Sequence, residues 1–97
     1  MYSKDQIKRA QKSVVHKINE TGARIHFNVV FIDSKQGKHE HFVIFRKDKQ
    51  FPNNFDCECA WCSYYGYNRK ERKLYKLCSN CLAVAKYLKM PEVKDIL

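Results

Sequence analysis

Glycine, proline and acidic residues are all scarce in this sequence. Three glycines and two prolines occur among 97 residues, so a glycine-rich phosphate loop and a proline-rich tract are both absent. No apolar run approaches the roughly 18 residues that a membrane-spanning helix needs. No nucleophile–base pair and no pair of catalytic carboxylates stands out. We therefore expect neither an enzyme with a small-molecule substrate nor a membrane protein.

The shortage of acids leaves the chain strongly basic. Nineteen Lys and Arg residues outnumber ten Asp and Glu residues, and the formal net charge is +9 at pH 7. This charge favours polyanionic partners, of which nucleic acid is the first candidate, with DNA favoured over RNA. Met1 leads directly into a charged helical pattern rather than a signal peptide, so we expect a cytoplasmic protein.

The N-terminal segment predicts a helix. Ser3 and Gln6 have the spacing of a capping box, in which the two side chains satisfy each other's backbone N–H groups. Apolar residues then recur at helical spacing, at Ile7, Ala10, Val14 and Ile18. Gly22 is a natural stop just beyond the last of them. We predict a helix over residues 4–21.

The next segment predicts a β-hairpin. Residues 23–33 and 39–46 are rich in β-branched and aromatic side chains, and a turn centred near Gln36 would pair Phe31 with His41. One face would form the core under the first helix, with Phe27, Val29, Phe31, Val43 and Phe45. The other face is also apolar, at Val30, Ile32, Phe42 and Ile44. An antiparallel sheet open to water alternates more cleanly, so we expect the cysteine module to cover this face, or a second copy of the chain in a homodimer.

The whole chain is predicted to be a single domain of α+β class over residues 1–97. The helix packed on the antiparallel hairpin takes residues 1–46, a linker takes 47–56, and a four-cysteine zinc module with C-terminal helices takes 57–97. Within that module, residues 82–90 predict a helix and Pro91 predicts the start of a final helical turn. A core of this size is small, so a metal ion would add much to its stability.

The cysteines form two clusters with the spacing of a zinc site. Cys59 and Cys62 make one C-x2-C pair, and Cys78 and Cys81 make a second pair after 15 intervening residues. A C-x2-C turn directs both thiolates at one point, and two such turns enclose a tetrahedral four-sulfur site. We predict one structural Zn²⁺ at these four residues. Four protein ligands leave no open coordination position for catalysis.

The segment "LCSNCLAVAKYL" resembles the second knuckle of treble-clef zinc fingers, including the GATA type. In that family a leucine precedes the C-x2-C pair and the helix begins at once. The resemblance covers residues 59–89, with a separation between the pairs slightly shorter than in GATA-type fingers. It implies a zinc-dependent fold but not base-specific recognition, because the family's other basic recognition residues are not matched.

Cys57 allows a second ligand set. The pattern Cys57-Glu58-Cys59 followed by "CSNCLAVAKYL" is similar to SWIM-type zinc modules, which use C-x-C and then C-x-H before an apolar helix. Cys81 stands here in place of the histidine, with one extra residue between the ligands. We favour the first set, because C-x2-C turns are commoner in four-thiolate sites. Under that interpretation Cys57 is left over.

Basic and aromatic residues between the two clusters suggest a nucleic-acid contact. The candidates are Tyr65, Tyr67, Arg69, Lys70, Arg72, Lys73 and Lys76. Cations of this kind contact phosphates, while rings stack on bases. The basic outer face of the first helix is a second candidate. The small size, the composition and the lone zinc site also resemble orphan proteins of crenarchaeal viruses, which would imply a host cytoplasm.

Overall fold

A computed structural model describes residues 3–51, 54–57 and 77–96 of the chain. Its elements are helix α1 (Lys4–Lys12), strands β1 (Val14–Thr21), β2 (Arg24–Asp33), β3 (Gly37–Arg46) and β4 (Phe55–Cys57), helix α2 (Ser79–Tyr87), and a 3₁₀ turn (Pro91–Val93). The strands form one antiparallel sheet in the order β1-β2-β3-β4. This arrangement confirms the predicted α+β class. Within the described residues, no helix is long and apolar enough to cross a membrane.

The first helix begins where predicted and ends much earlier. The Ser3 side chain accepts from the Gln6 backbone N–H, and the Gln6 side chain accepts from the Ser3 N–H, so the capping box is present. The helix ends at Ser13, whose hydroxyl donates to the Arg9 carbonyl. The predicted helical span 4–21 is therefore wrong over its second half, which is strand β1.

The competing strand explains this error. Val14 and Ile18 continue the helical spacing of the apolar residues, but β-branched side chains suit a strand equally well. Pairing with β2 decides the outcome, and it places Val15 opposite Val29 on the core side. Gly22, predicted to stop a helix, instead forms the β1–β2 turn at φ +58°. A helix end and a tight β-turn can both require a residue with positive φ, so glycine at this position suits either structure.

The β2–β3 hairpin forms as predicted, with its register shifted by two residues. Phe31 pairs with His39 rather than with His41. The Asp33 carboxylate accepts from the backbone N–H groups of Lys35 and Gln36, which centres the turn one residue earlier than expected. Since side chains alternate with a period of two, this shift leaves every residue on its predicted face.

Helix α2 packs on the predicted core face of the sheet, and α1 packs mainly against α2 and reaches that face at Phe31. Tyr87 of α2 meets Phe27 edge to face, with ring centroids 5.5 Å apart, and the Arg9 guanidinium of α1 lies 4.6 Å from the centre of the Phe31 ring. The fully buried side chains include Phe27, Val29, Val43, Phe55, Leu77, Leu82 and Val84. One hydrophobic core therefore joins the sheet to α2 and to the segment that enters it.

The opposite face of the sheet remains partly open within the described residues. Ile32 is 75% exposed and Phe42 is 59% exposed, while Val30 and Ile44 are half-buried. We expected the cysteine module to cover this face. Its described helix, α2, packs on the other face, and the rest of that module, residues 58–76, lies outside the described residues.

Candidate metal centre

Three cysteines meet at the junction between the sheet and α2. Cys57 ends β4, Cys78 is the N-cap of α2, and Cys81 lies in the first turn of that helix. Their Sγ atoms all lie within 4.8 Å of one another. In a tetrahedral site with Zn–S bonds of about 2.3 Å, neighbouring sulfurs lie about 3.8 Å apart. Small side-chain rotations would bring the three sulfurs to that spacing, so they can hold one metal ion.

The start of α2 favours the charged form of these sulfurs. The Cys78 Sγ atom accepts a hydrogen bond from the Cys81 backbone N–H at 3.4 Å. The positive end of a helix dipole also stabilises a thiolate at this position. Both cysteines are buried, and buried thiolates need such donors or a cation. The sequence predicted a helix over residues 82–90, directly after Cys81, and the structure starts this helix earlier, at Ser79, so that Cys81 lies within its first turn.

Asn80 supports the third sulfur. This asparagine lies between Cys78 and Cys81 and is buried, and its side-chain amide lies 4.0 Å from the Cys57 Sγ atom as a hydrogen-bond donor. Partners that donate to a ligating sulfur orient it and moderate its charge. The Asn80 amide thus links the "CSNC" turn to β4 through the sulfur atom itself. The sequence analysis assigned no role to this residue.

Strand β4 holds Cys57 against the sheet. Cys57 pairs with Val43 at the centre of β3, and Arg46 forms an ion pair with Asp56 at 2.9 Å. Phe55 is fully buried, and its ring centroid lies 5.2 Å from that of Phe45. Cys57 therefore sits on a fixed part of the fold, immediately after a segment that was predicted as a linker.

Helix α1 contacts the other side of the centre. The Gln6 side-chain amide donates to the Leu77 carbonyl at 2.9 Å, one residue before Cys78. The same side chain closes the capping box through its oxygen. One residue therefore both starts the first helix and fixes the chain as it enters the Cys78–Cys81 turn. The capping-box pattern predicts the first role, whereas only the tertiary structure reveals the second.

Replacing Gln6 with alanine is expected to lower the free energy of unfolding by about 1.5–2.5 kcal/mol. This loss combines the capping contact with a part-buried hydrogen bond to a buried segment. Ser3→Ala removes only the cap and should cost about 1 kcal/mol. Gln6→Glu retains an acceptor for the Ser3 N–H but has no donor for the Leu77 carbonyl. Its free energy of unfolding should therefore lie between those of the wild type and Gln6→Ala. Urea unfolding of the metal-loaded protein measures all three, and equal costs for Ser3→Ala and Gln6→Ala would refute the second role.

The candidate site residues from the sequence are only partly placed. Cys78 and Cys81 lie together, as predicted. Cys59 and Cys62, and the basic and aromatic candidates Tyr65, Tyr67, Arg69, Lys70, Arg72, Lys73 and Lys76, lie outside the described residues. Cys57, which the favoured ligand set left over, lies beside Cys78 and Cys81. The signal for it in the sequence was the C-x-C spacing with Cys59.

Comparison of the chain with known protein families, curated proteins and solved structures gives no match. The resemblances to treble-clef and SWIM-type modules therefore rest on the cysteine spacing and the apolar helix alone.

Proposed function

We propose that the chain is a small basic nucleic-acid-binding protein whose fold is stabilised by one structural zinc ion. The observation that carries the zinc part is the convergence of Cys57, Cys78 and Cys81 within 4.8 Å at the base of α2. Sulfur-rich, buried, tetrahedral sites select zinc among the common divalent ions of cells. A fourth cysteine closes such a site, so the ion has a structural role and no substrate position.

The fourth ligand in this proposal is Cys59. Cys57 supports the SWIM-like set, in which Cys57 and Cys59 provide the first pair and Cys78 and Cys81 the second. A C-x-C pair brings two thiols to one side of an extended segment, because side chains alternate along it, and Cys57 ends a strand. Cys62 is then the cysteine left over.

The nucleic-acid part of the proposal is supported by charge. The formal charge of +9 falls by only two when four cysteine thiolates and one Zn²⁺ are counted, so the zinc-loaded protein remains strongly basic. It would raise the local concentration of a polyanion and speed its association. Because a zinc ion with four cysteine ligands has no open coordination position, DNA would bind to the protein surface and not to the metal. DNA is favoured over RNA, and a role in transcription regulation fits a small DNA-binding module.

The zinc-loaded protein is expected to bind DNA with strong salt dependence. The logarithm of the binding constant should fall linearly with the logarithm of salt concentration, by about 0.9 for each phosphate neutralised. Fluorescence anisotropy with labelled duplex DNA, at salt concentrations from about 50 to 300 mM, measures this slope. A single-stranded RNA of matched length tests the preference for DNA. Absence of DNA binding at about 50 mM salt would refute the nucleic-acid function.

An assembly function is the second candidate, and one observation favours it. The sheet face opposite the helices exposes Ile32 and Phe42, and Val14 on the edge strand β1 is half exposed. Exposed apolar groups of this kind mark contacts between proteins. A homodimer through this face would use zinc only to hold the fold. Sedimentation that shows a monomer at high protein concentration would exclude this alternative.

A further inference from the structure

We propose that the exposed face of α1 is where the nucleic-acid backbone binds. This α1 basic face consists of Lys4, Lys8 and Lys12, with Arg9 beside them at the hairpin tip. The inference rests on the proposed nucleic-acid function and assigns it a surface. Phosphates of a DNA strand are the chemical groups that the face would contact.

The three lysines form one row along the helix. They are spaced four residues apart, so they share a face, and each step rises about 6 Å. The row is therefore about 12 Å long and spans three to four nucleotide steps of about 3.4 Å each. All three side chains are exposed, while Ile7 and Ala10 of the same helix pack towards the core. The row thus faces away from the protein, and its three charges lie within reach of the phosphates of one short stretch of strand.

Folding gives no reason for this charge at the start of the helix. Positive charge in the first turn opposes the helix dipole, so Lys4 costs helix stability rather than adding to it. Only Asp5 within α1 is acidic, against four basic residues. Ion pairs among the described residues involve other cations, Lys17, Lys38, Arg46 and Lys47. The α1 basic face therefore keeps its charge available for an external anion.

The lysines that surround Glu20 differ from those of α1, because they have a carboxylate partner. Lys17 and Lys47 both donate to the Glu20 carboxylate, and these hydrogen bonds lower the pKa of Glu20 to about 2. The charges of those two lysines are thus compensated by a neighbouring carboxylate at the β1–β2 turn. Lys4, Lys8 and Lys12 form no such ion pair in the described part of the chain. The difference distinguishes the α1 basic face from the β1–β2 turn, where the lysine charges are compensated.

Arg9 extends the row towards the β2–β3 hairpin. Its guanidinium carbon lies 4.6 Å from the centre of the Phe31 ring, and the His39 ring centroid lies 6.3 Å from that of Phe31. The Arg9 Nε atom is buried and has no hydrogen-bond partner among the described residues, so contact with a phosphate would fall to the other guanidinium nitrogens. A guanidinium stacked on an aromatic ring is already oriented, so it loses less freedom when it binds a phosphate. Arg9 would thus hold the bound strand from the hairpin side of the row, and exposed Lys35 lies on the neighbouring turn.

Two triple variants with equal loss of charge test this assignment. The first replaces Lys4, Lys8 and Lys12 with glutamine, and the matched control replaces exposed Lys49, Lys86 and Lys94 with glutamine. Glutamine has nearly the helix propensity of lysine, so both proteins should fold, as circular dichroism can verify. The α1 variant is expected to bind duplex DNA at least about tenfold more weakly at about 0.1 M salt. Its salt slope should be smaller by up to about 2.7, or 0.9 for each lost contact.

The control variant should lose less than about threefold in affinity, because its lysines act only through long-range charge. A third variant, with arginine at positions 4, 8 and 12, retains the positive charge of the α1 basic face and should bind DNA as strongly as the wild type. If the wild type binds and both glutamine variants weaken equally, net charge alone is at work and the assigned surface is wrong. The assigned surface is also wrong if the α1 glutamine variant binds DNA as strongly as the wild type. If the wild type does not bind DNA, the proposed function itself fails, and the two failures are thereby distinguished.

Discussion

Removing the metal ion is expected to unfold the chain. Structural zinc contributes about 10–16 kcal/mol of apparent binding free energy, whereas a small domain has a total stability of about 5–15 kcal/mol. Cys78 and Cys81 lie within the same core as Leu82, Val84 and the sheet residues, so loss of the ion would affect the whole core. A chelator added under reducing conditions should abolish the cooperative thermal transition seen by circular dichroism. Added zinc should restore it.

A single substitution makes the same test without a chelator. Cys81 is fully buried, and Cys81→Ser should give a protein that binds no zinc at stoichiometric concentration and has little tertiary structure. Metal content by atomic emission and near-ultraviolet circular dichroism measure the two losses. A surface change of similar size, Ser34→Ala at the hairpin tip, should leave both unchanged. A chelated protein with an unaltered melting temperature would show that the cysteines pack without a metal ion.

Cys57→Ser is expected to damage the protein far more than Cys62→Ser. With Cys57 as a ligand, its loss should reduce zinc affinity at least about a hundredfold and lower the free energy of unfolding by several kcal/mol. Cys62→Ser should retain one zinc ion and a melting temperature within a few degrees of the wild type. The ligand set favoured by the sequence alone predicts the opposite outcome, because it includes Cys62 and omits Cys57.

Cobalt substitution provides the readout for these two variants. Thiolate-to-cobalt absorption grows with the number of bound sulfurs, so it reports whether three or four cysteines ligate the ion. Cys59→Ser is the matched positive control and should lose absorption as Cys57→Ser does. Intact four-thiolate absorption in Cys57→Ser, together with loss in Cys62→Ser, would restore Cys59, Cys62, Cys78 and Cys81 as the ligand set.

Local signals predicted the parts of this fold that depend on neighbouring residues. The capping box located the start of α1, because Ser3 and Gln6 form it with nearby backbone groups. The β2–β3 hairpin followed from alternation, and the turn at Pro91 followed from the preference of proline for a first helical position. The position of Cys78 and Cys81 at the start of an apolar helix was equally local. These features could be predicted because each is decided within a few residues.

The errors have a common cause, since they concern segments whose pattern fits two structures. Val14 and Ile18 suit a helix or a strand, and the partner strand β2 decided between them. The hairpin register moved by two residues because the Asp33 side chain stabilised a turn that alternation alone does not locate. The first outcome depends on a partner strand outside the segment, whereas the second follows from a local turn at Asp33 that the alternation of side chains does not reveal.

The sequence by itself determined the fold class, the presence of a thiol-rich segment and the basic charge of the chain. Composition and short spacings carry that information, and they do not depend on how the chain folds back on itself. The tertiary structure decided which residues meet. It brought Cys57 to Cys78 and Cys81 by placing β4 at the edge of the sheet beside α2, and it joined Gln6 to Leu77 across 71 residues. Contacts at such separations follow from the packing of whole elements, so the cysteine spacing left two ligand sets open and could not choose between them.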